Sequence, residues 1–272
     1  QRLAPETRQV GVSHVLERLN YHQGNLPVKN AIAQFFIGGL TIASGQSVGR
    51  EGPGIHLGST SGSWLGRKLK LPNNSTRILV GCGCAAAISA SFNTPMAAGI
   101  FGMEGILREY KIHIFRPVMM ASIVGSLITS GLYGTAHELA FFDTIALQYH
   151  HYPFLVLLGI FLGIVAYFFN RYLVALVKAS GKHHIVPRIM LAALITSALG
   201  YAMPFAMGTD LSAIGFSLEN NMDFHLLAGL LIAKIILTIV ALGLGIPGGL
   251  VGPILGIGAI AGTCASVVVA QY

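Results

Sequence analysis

The sequence predicts an all-α, polytopic membrane protein with several broken helices, and three observations carry that prediction. Of its 272 residues, 53% are hydrophobic and only 10% charged, where a soluble domain carries about 25% charged residues. The charges are segregated. Every Lys and Arg except Arg50 and Lys234 lies within 2–29, 67–77, 108–116 or 171–188, while 133–151 and 206–225 carry only Glu138, Asp143, Asp210, Glu219 and Asp223. Finally, 34 glycines and 11 prolines punctuate the apolar runs, as close helix packing and interrupted helices in lipid require.

The charge pattern is the positive-inside asymmetry of a polytopic protein, with basic blocks cytoplasmic and acidic loops outside. The net charge of +7 therefore reports topology, and it excludes a nucleic-acid partner. The three cysteines, Cys82, Cys84 and Cys264, sit in Gly/Ala-rich apolar runs. They read as small packing residues, since a zinc site needs four ligands at metal spacing. No metal or cofactor is expected. The ten histidines read mostly as loop or interfacial residues. No HExxH, GxSxG or paired aspartates at metal spacing appear, so the chain is not read as an enzyme.

Along the chain, apolar segments fall at about 31–48, 53–66, 78–91, 95–107, 115–134, 152–177, 187–206, 226–244 and 249–270. Segments 115–134, 152–177 and 187–206 meet the roughly 20 residues that a spanning helix needs. Segments 53–66, 78–91 and 95–107 are shorter and broken by Gly or Pro, and so read as half-helices. At membrane depth such breaks line a cavity or are buried in protein. Lys234, inside a late span, either snorkels to an interface, pairs with a carboxylate or attracts anions.

A repeat marks two of these breaks. GQSVGREGPGIHLGSTSG (45–62) lies over GIPGGLVGPILGIGAIAG (245–262) at an offset of 200, with Gly45, Gly49, Gly52, Pro53, Gly58 and Gly62 falling on identical residues. In each copy a glycine-rich break precedes a proline suited to the first helical turn. Each copy therefore aims the unpaired amides and positive dipole end of a helix N-terminus into the membrane, which suits a small anion. Glycines leave the backbone open to approach, and partial charges bind weakly enough for release. Glu51, at the start of the 53–66 half-helix, occupies an anion position with its own carboxylate. Deprotonated it plugs the path; protonated it leaves. The alternatives are that Glu51 pairs with Arg50 or caps the helix.

GREGPGIHLG and the later GIPGGLVGP resemble the two pore signatures of the CLC chloride channels and chloride/proton antiporters. SFNTPMAAGIFGME (91–104) resembles the Phe-Asn-x-Pro segment between them, and the similarity runs in order through nearly the whole chain. The resemblance implies a homodimer in the lipid bilayer, with one chloride pore per subunit built from inverted repeats of tilted, broken helices. It implies a bacterial inner-membrane location. It makes Glu51 the gating residue, places the outer anion site at the amides of Arg50, Glu51 and Gly52, and places the central site at those of Leu250 and Val251.

Three departures qualify the resemblance. Val10 stands where the family has the serine whose hydroxyl reaches the central anion, and Ser13 is either its substitute or a helix cap. Gly105 stands where antiporters carry an inner, proton-transferring glutamate, leaving Glu104 beside it as the candidate acid of a proton pathway. Residues 1–272 read as one ion-transport domain lacking the family's first long helix and its last several. With Gly105 in place of an acid, the expectation is a passive, voltage-gated type of chloride channel gated by Glu51; the alternative is a chloride/proton antiporter.

Overall fold

The computed structural model describes residues 11–134, 149, 152–208 and 224–270, and contains no strand among them. The helices are α1 (Gly11–Tyr21), α2 (Val28–Ala43), α3 (Glu51–Lys68), α4 (Asn73–Phe92), α5 (Pro95–Phe101), α6 (Ile112–Tyr133), α7 (Tyr152–Ser180), α8 (Ile185–Ala202), α9 (Phe224–Gly243) and α10 (Val251–Ala270). A π-helical turn, Gly102–Leu107, continues α5, and a 3-10 turn, Pro204–Ala206, follows α8. Helices α4, α6, α7, α8 and α9 are long and apolar enough to cross a membrane.

Two of these elements differ from the sequence reading. Segment 78–91 is no half-helix: α4 runs unbroken for 20 residues. Its polar first turn, Asn73-Asn74-Ser75, starts behind Pro72, whose extended ψ of 155° ends the preceding loop. Its internal glycines are contact residues, not breaks. Helix α1 falls in no apolar run because Glu17, Arg18 and Asn20 interrupt the pattern, yet it buries His14, Val15 and Leu19 along one face.

The chain divides into two compact units. The first holds α1, α2 as far as Leu40, α3 to α6, and the tripeptide Pro247–Gly249. Here α3 and α4 meet backbone to backbone: a Cβ added at Gly58 would strike the Gly83 carbonyl, and one at Gly62 the Leu79 carbonyl. On the far side of α4, a Cβ at Gly125 of α6 would lie 2.6 Å from the Ala86 oxygen. Small residues permit these approaches where lipid supplies no hydrophobic drive. Val15, Leu19, Ile55, Val80, Cys84 and Ile106 fill one core cluster, and Cys82 joins another with Met103 and Val118. The three cysteines are buried and free, as packing residues should be.

The second unit holds Thr41–Gly49 and helices α7 to α10. Leu227, Leu230 and Leu237 of α9 pack on Ile257 and Ile260 of α10, and Val48 packs with Ala192, Ala241, Leu244 and Ile246. Lys234 neither snorkels nor lies at an interface. It is fully buried, and its Nζ donates to the carbonyls of Ala206 (3.3 Å) and Gly208 (3.0 Å). The Gly208 amide in turn donates to the Gly45 oxygen at 2.9 Å, so Lys234 fastens the loop that leads toward Glu51. Each hydrogen bond from a charged group contributes about 1.5–3 kcal/mol. Lys234→Met is expected to lower the thermal midpoint in detergent by several degrees, and an unchanged midpoint would contradict this anchoring role.

Candidate functional site

The site begins with a duplicated turn. Gly45 adopts φ 75° and Gly245 φ 86°, left-handed values that cost glycine least. Their amides bond Ile42 and Leu242 at the same 3.0 Å. Five residues later each copy enters its helix in the same way: Gly54 N bonds Arg50 O, and Ile254 N bonds Leu250 O, both at 3.1 Å. In each copy proline stands third in the helix, at 53 and 253. The amides of residues 51–52 and 251–252 thus precede the first i→i−4 bond and have no acceptor inside their helices. The repeat read from spacing is a repeat of backbone geometry.

Side chains hold the first loop in place. Ser47 Oγ lies 2.9 Å from Thr238 Oγ1 on α9, and Thr196 Oγ1 of α8 donates to Gln46 Oε1 at 3.0 Å. Past the loop, Arg50 Nη2 donates to the Ser91 carbonyl at 2.6 Å. That carbonyl belongs to the last turn of α4, where a cation suits the helix dipole. The Phe-Asn-x-Pro stretch finishes the same corner. Asn93 takes φ 54° as the C-cap of α4 and accepts hydrogen bonds from Ser126 and Ser130 of α6, and Pro95 starts α5. A cavity of about 440 Å³ opens beside it, lined by Arg50, Ser91, Asn93, Ser130 and Tyr133 among others.

Glu51 is the first residue of α3 and is only 4% exposed. A buried carboxylate at this position lies where the macrodipole is positive. Gly52 meets the second loop: a Cβ there would sit 2.8 Å from Gly248 O and 3.1 Å from Gly249 N. Only glycine at 52 permits that approach. The structure thus groups Arg50, Glu51 and Gly52 at one junction with Gly248 against it. Leu250 and Val251 stand at the equivalent junction of the second copy, in the second unit. Val10 lies outside the described residues, as do Glu138, Asp143, Asp210, Glu219 and Asp223. Ser13 is the third residue of α1 and exposed, so it is not that helix's cap.

Over residues 1–272 the chain matches the family described as Voltage gated chloride channel. It belongs to that family. Two solved structures share its fold. One is described as a slow cyanobacterial Cl-/H+ antiporter, with TM-score 0.86 and 22% identity, matching 100% of this chain and 65% of that one. The other is a CLC-type fluoride/proton antiporter, with TM-score 0.79 and 22% identity, matching 98% and 66% respectively. The chain therefore spans about two thirds of each. As a member of the voltage-gated chloride channel family it is a multi-pass membrane protein.

Glu104, the candidate acid of a proton pathway, stands in the π-helical turn beside Gly105. Glu104 is exposed, and its carboxyl is hydrogen-bonded by the Tyr110 hydroxyl. Gly105 lies in the π-helical turn, where a Cβ would sit 3.2 Å from the Phe101 ring. One pair escaped the sequence reading: His14 of α1 and His56 of α3 are buried side by side, neither in a loop. A histidine flanked by Gly, Ile and Leu in GIHLG was the available signal.

Proposed function

We propose that this chain forms the anion pathway of a proton-coupled anion exchanger with chloride as its ligand. The observation that carries the reading is the buried Glu51 carboxyl at a helix start whose geometry recurs at 251. Deprotonated, Glu51 satisfies the α3 amides itself and competes with the anion. Protonated, it loses that attraction, and the anion takes its place. One residue therefore binds a proton when the anion passes, which is the coupling an exchanger requires. The descriptions of both similar structures as antiporters favour this over the passive channel expected from Gly105. A second copy of the chain as partner and a bacterial inner membrane as location remain part of this proposal.

The test is chloride-driven proton movement in proteoliposomes of the full-length protein. An outward chloride gradient should drive protons inward against no pH gradient, at a rate that tracks chloride loss. Chloride loss with no proton movement would support the passive channel, a reading favoured by glycine at 105 and the exposed Glu104.

A further inference from the structure

Four described residues combine burial with an ionisable side chain among Asp, Glu, His and Lys: His14, Glu51, His56 and Lys234. Lys234 is committed to the turn at 206–208. The other three lie in the first unit, with His56 five residues, about 1.4 turns, beyond Glu51 on α3. Five residues of helix advance about 7.5 Å, toward the end that carries Arg67 and Lys68 and, by the positive-inside pattern, the cytoplasm.

The hydrogen bonds fix where the histidine protons sit. Arg18 Nε donates to His14 Nε2 at 3.2 Å, so His14 carries its proton on Nδ1. That nitrogen is 2.8 Å from His56 Nε2, which must then accept, leaving the His56 proton on Nδ1. The Asn30 amide lies 3.3 Å from His14 Nδ1 and suits this tautomer with its oxygen turned inward. His56 Nδ1 is buried and has no hydrogen-bond partner among the described residues. An orphaned buried donor costs about 1–3 kcal/mol, and such a group in a native structure calls for a functional explanation or a bound water.

We propose that His14 and His56 form a proton relay between the cytoplasm and Glu51; this deepens the exchanger reading and rests on it. The step balances. A proton from cytoplasmic water bonds to His14 Nε2 as Arg18 withdraws. The proton on His14 Nδ1 passes to His56 Nε2, and the proton on His56 Nδ1 leaves through intervening water to the Glu51 carboxylate. Each ring gains one N–H bond and loses one, so one proton reaches Glu51 and the pair stays neutral with both protons on Nε2. Before the next proton each ring must turn so that it sheds its Nε2 proton and takes up one on Nδ1 from the same water, which restores the tautomers without carrying the transferred proton back. Arg18 holds the intake nitrogen and is a positioning residue. Among the described residues, few titratable groups surround the pair. Glu17, Arg18 and His22 act on His14 from its own helix, and Glu51 lies on α3. Cys84 of α4 sits in the adjoining core, while Lys29 of α2 and Glu104 of the π-helical turn are exposed.

The test measures chloride-driven proton uptake and chloride loss together in vesicles of the full-length protein. The variants are His14→Gln and His56→Gln, whose amides keep the hydrogen bond but cannot relay a proton, and Arg18→Ala, which frees the intake nitrogen. Proton transport is expected to fall about 10²-fold in each Gln variant, with chloride transport continuing uncoupled, and to persist in Arg18→Ala. Undiminished proton transport in the Gln variants, parallel loss of both fluxes, or loss of proton transport in Arg18→Ala would overturn the relay. Wild-type protein that moves no protons would overturn the exchanger reading itself and the relay with it, a result distinct from failure of the variants alone.

Discussion

Glu51→Gln should leave anion flux open at every pH while abolishing proton movement. A carboxamide at the start of α3 carries no charge to compete for the amides of residues 51 and 52, and it cannot exchange a proton with water. In the wild-type protein the sign follows from the same competition. Lowering pH is expected to protonate Glu51 and vacate the anion position, so that flux rises; raising pH is expected to restore the carboxylate, so that flux falls. The Gln variant is expected to hold the acid-limit flux across the whole range, with proton transport no greater than in protein-free vesicles. Chloride flux measured from pH 4 to 8 in both proteins checks this. A Gln variant that keeps the wild-type pH profile would make Glu51 a structural residue.

The second large effect is on stability. Gly58→Leu or Gly83→Leu places a branched side chain where the α3 and α4 backbones touch. The obstacle is a carbonyl rather than the tip of a flexible side chain, so the helices must separate. Overpacking costs about 1–3 kcal/mol even where neighbours can shift, and here the expected loss is at the top of that range or beyond. Loss of a monodisperse peak and a large drop in thermal midpoint are the expected signs. A variant as stable as wild type would mean that the α3–α4 contact is looser than described.

These two predictions show how unevenly the sequence disclosed the molecule. The α3 start was legible because Gly52 and Pro53 leave the backbone few options there, and its second copy at 252 and 253 repeated the message. The packing consequence was not legible. Gly58 and Gly62 meet α4 carbonyls, yet their repeat partners Gly258 and Gly262 have nothing within 4 Å among the described residues. Identical glycines thus serve different ends, and only the neighbouring helix decides which. Helix α4 was misjudged because Gly81 and Gly83 look like breaks when their partners are unknown. The histidine pair was hidden for a related reason: His14 and His56 are 42 residues apart, and α1 gives no apolar run to mark it as buried. Glu104 is legible only as the acid beside Gly105; its hydrogen bond from the Tyr110 hydroxyl depends on the π-helical turn that holds it, which no sequence pattern marks.

Coupling of anion movement to a proton carried by Glu51 is tested most directly by the zero-current potential of the full-length protein in a bilayer, under a fixed chloride gradient with pH varied on one side. The potential is expected to shift steadily with the pH difference in wild-type protein and to stay at the chloride equilibrium value in Glu51→Gln. A wild-type potential that follows chloride alone, indifferent to pH, would contradict it.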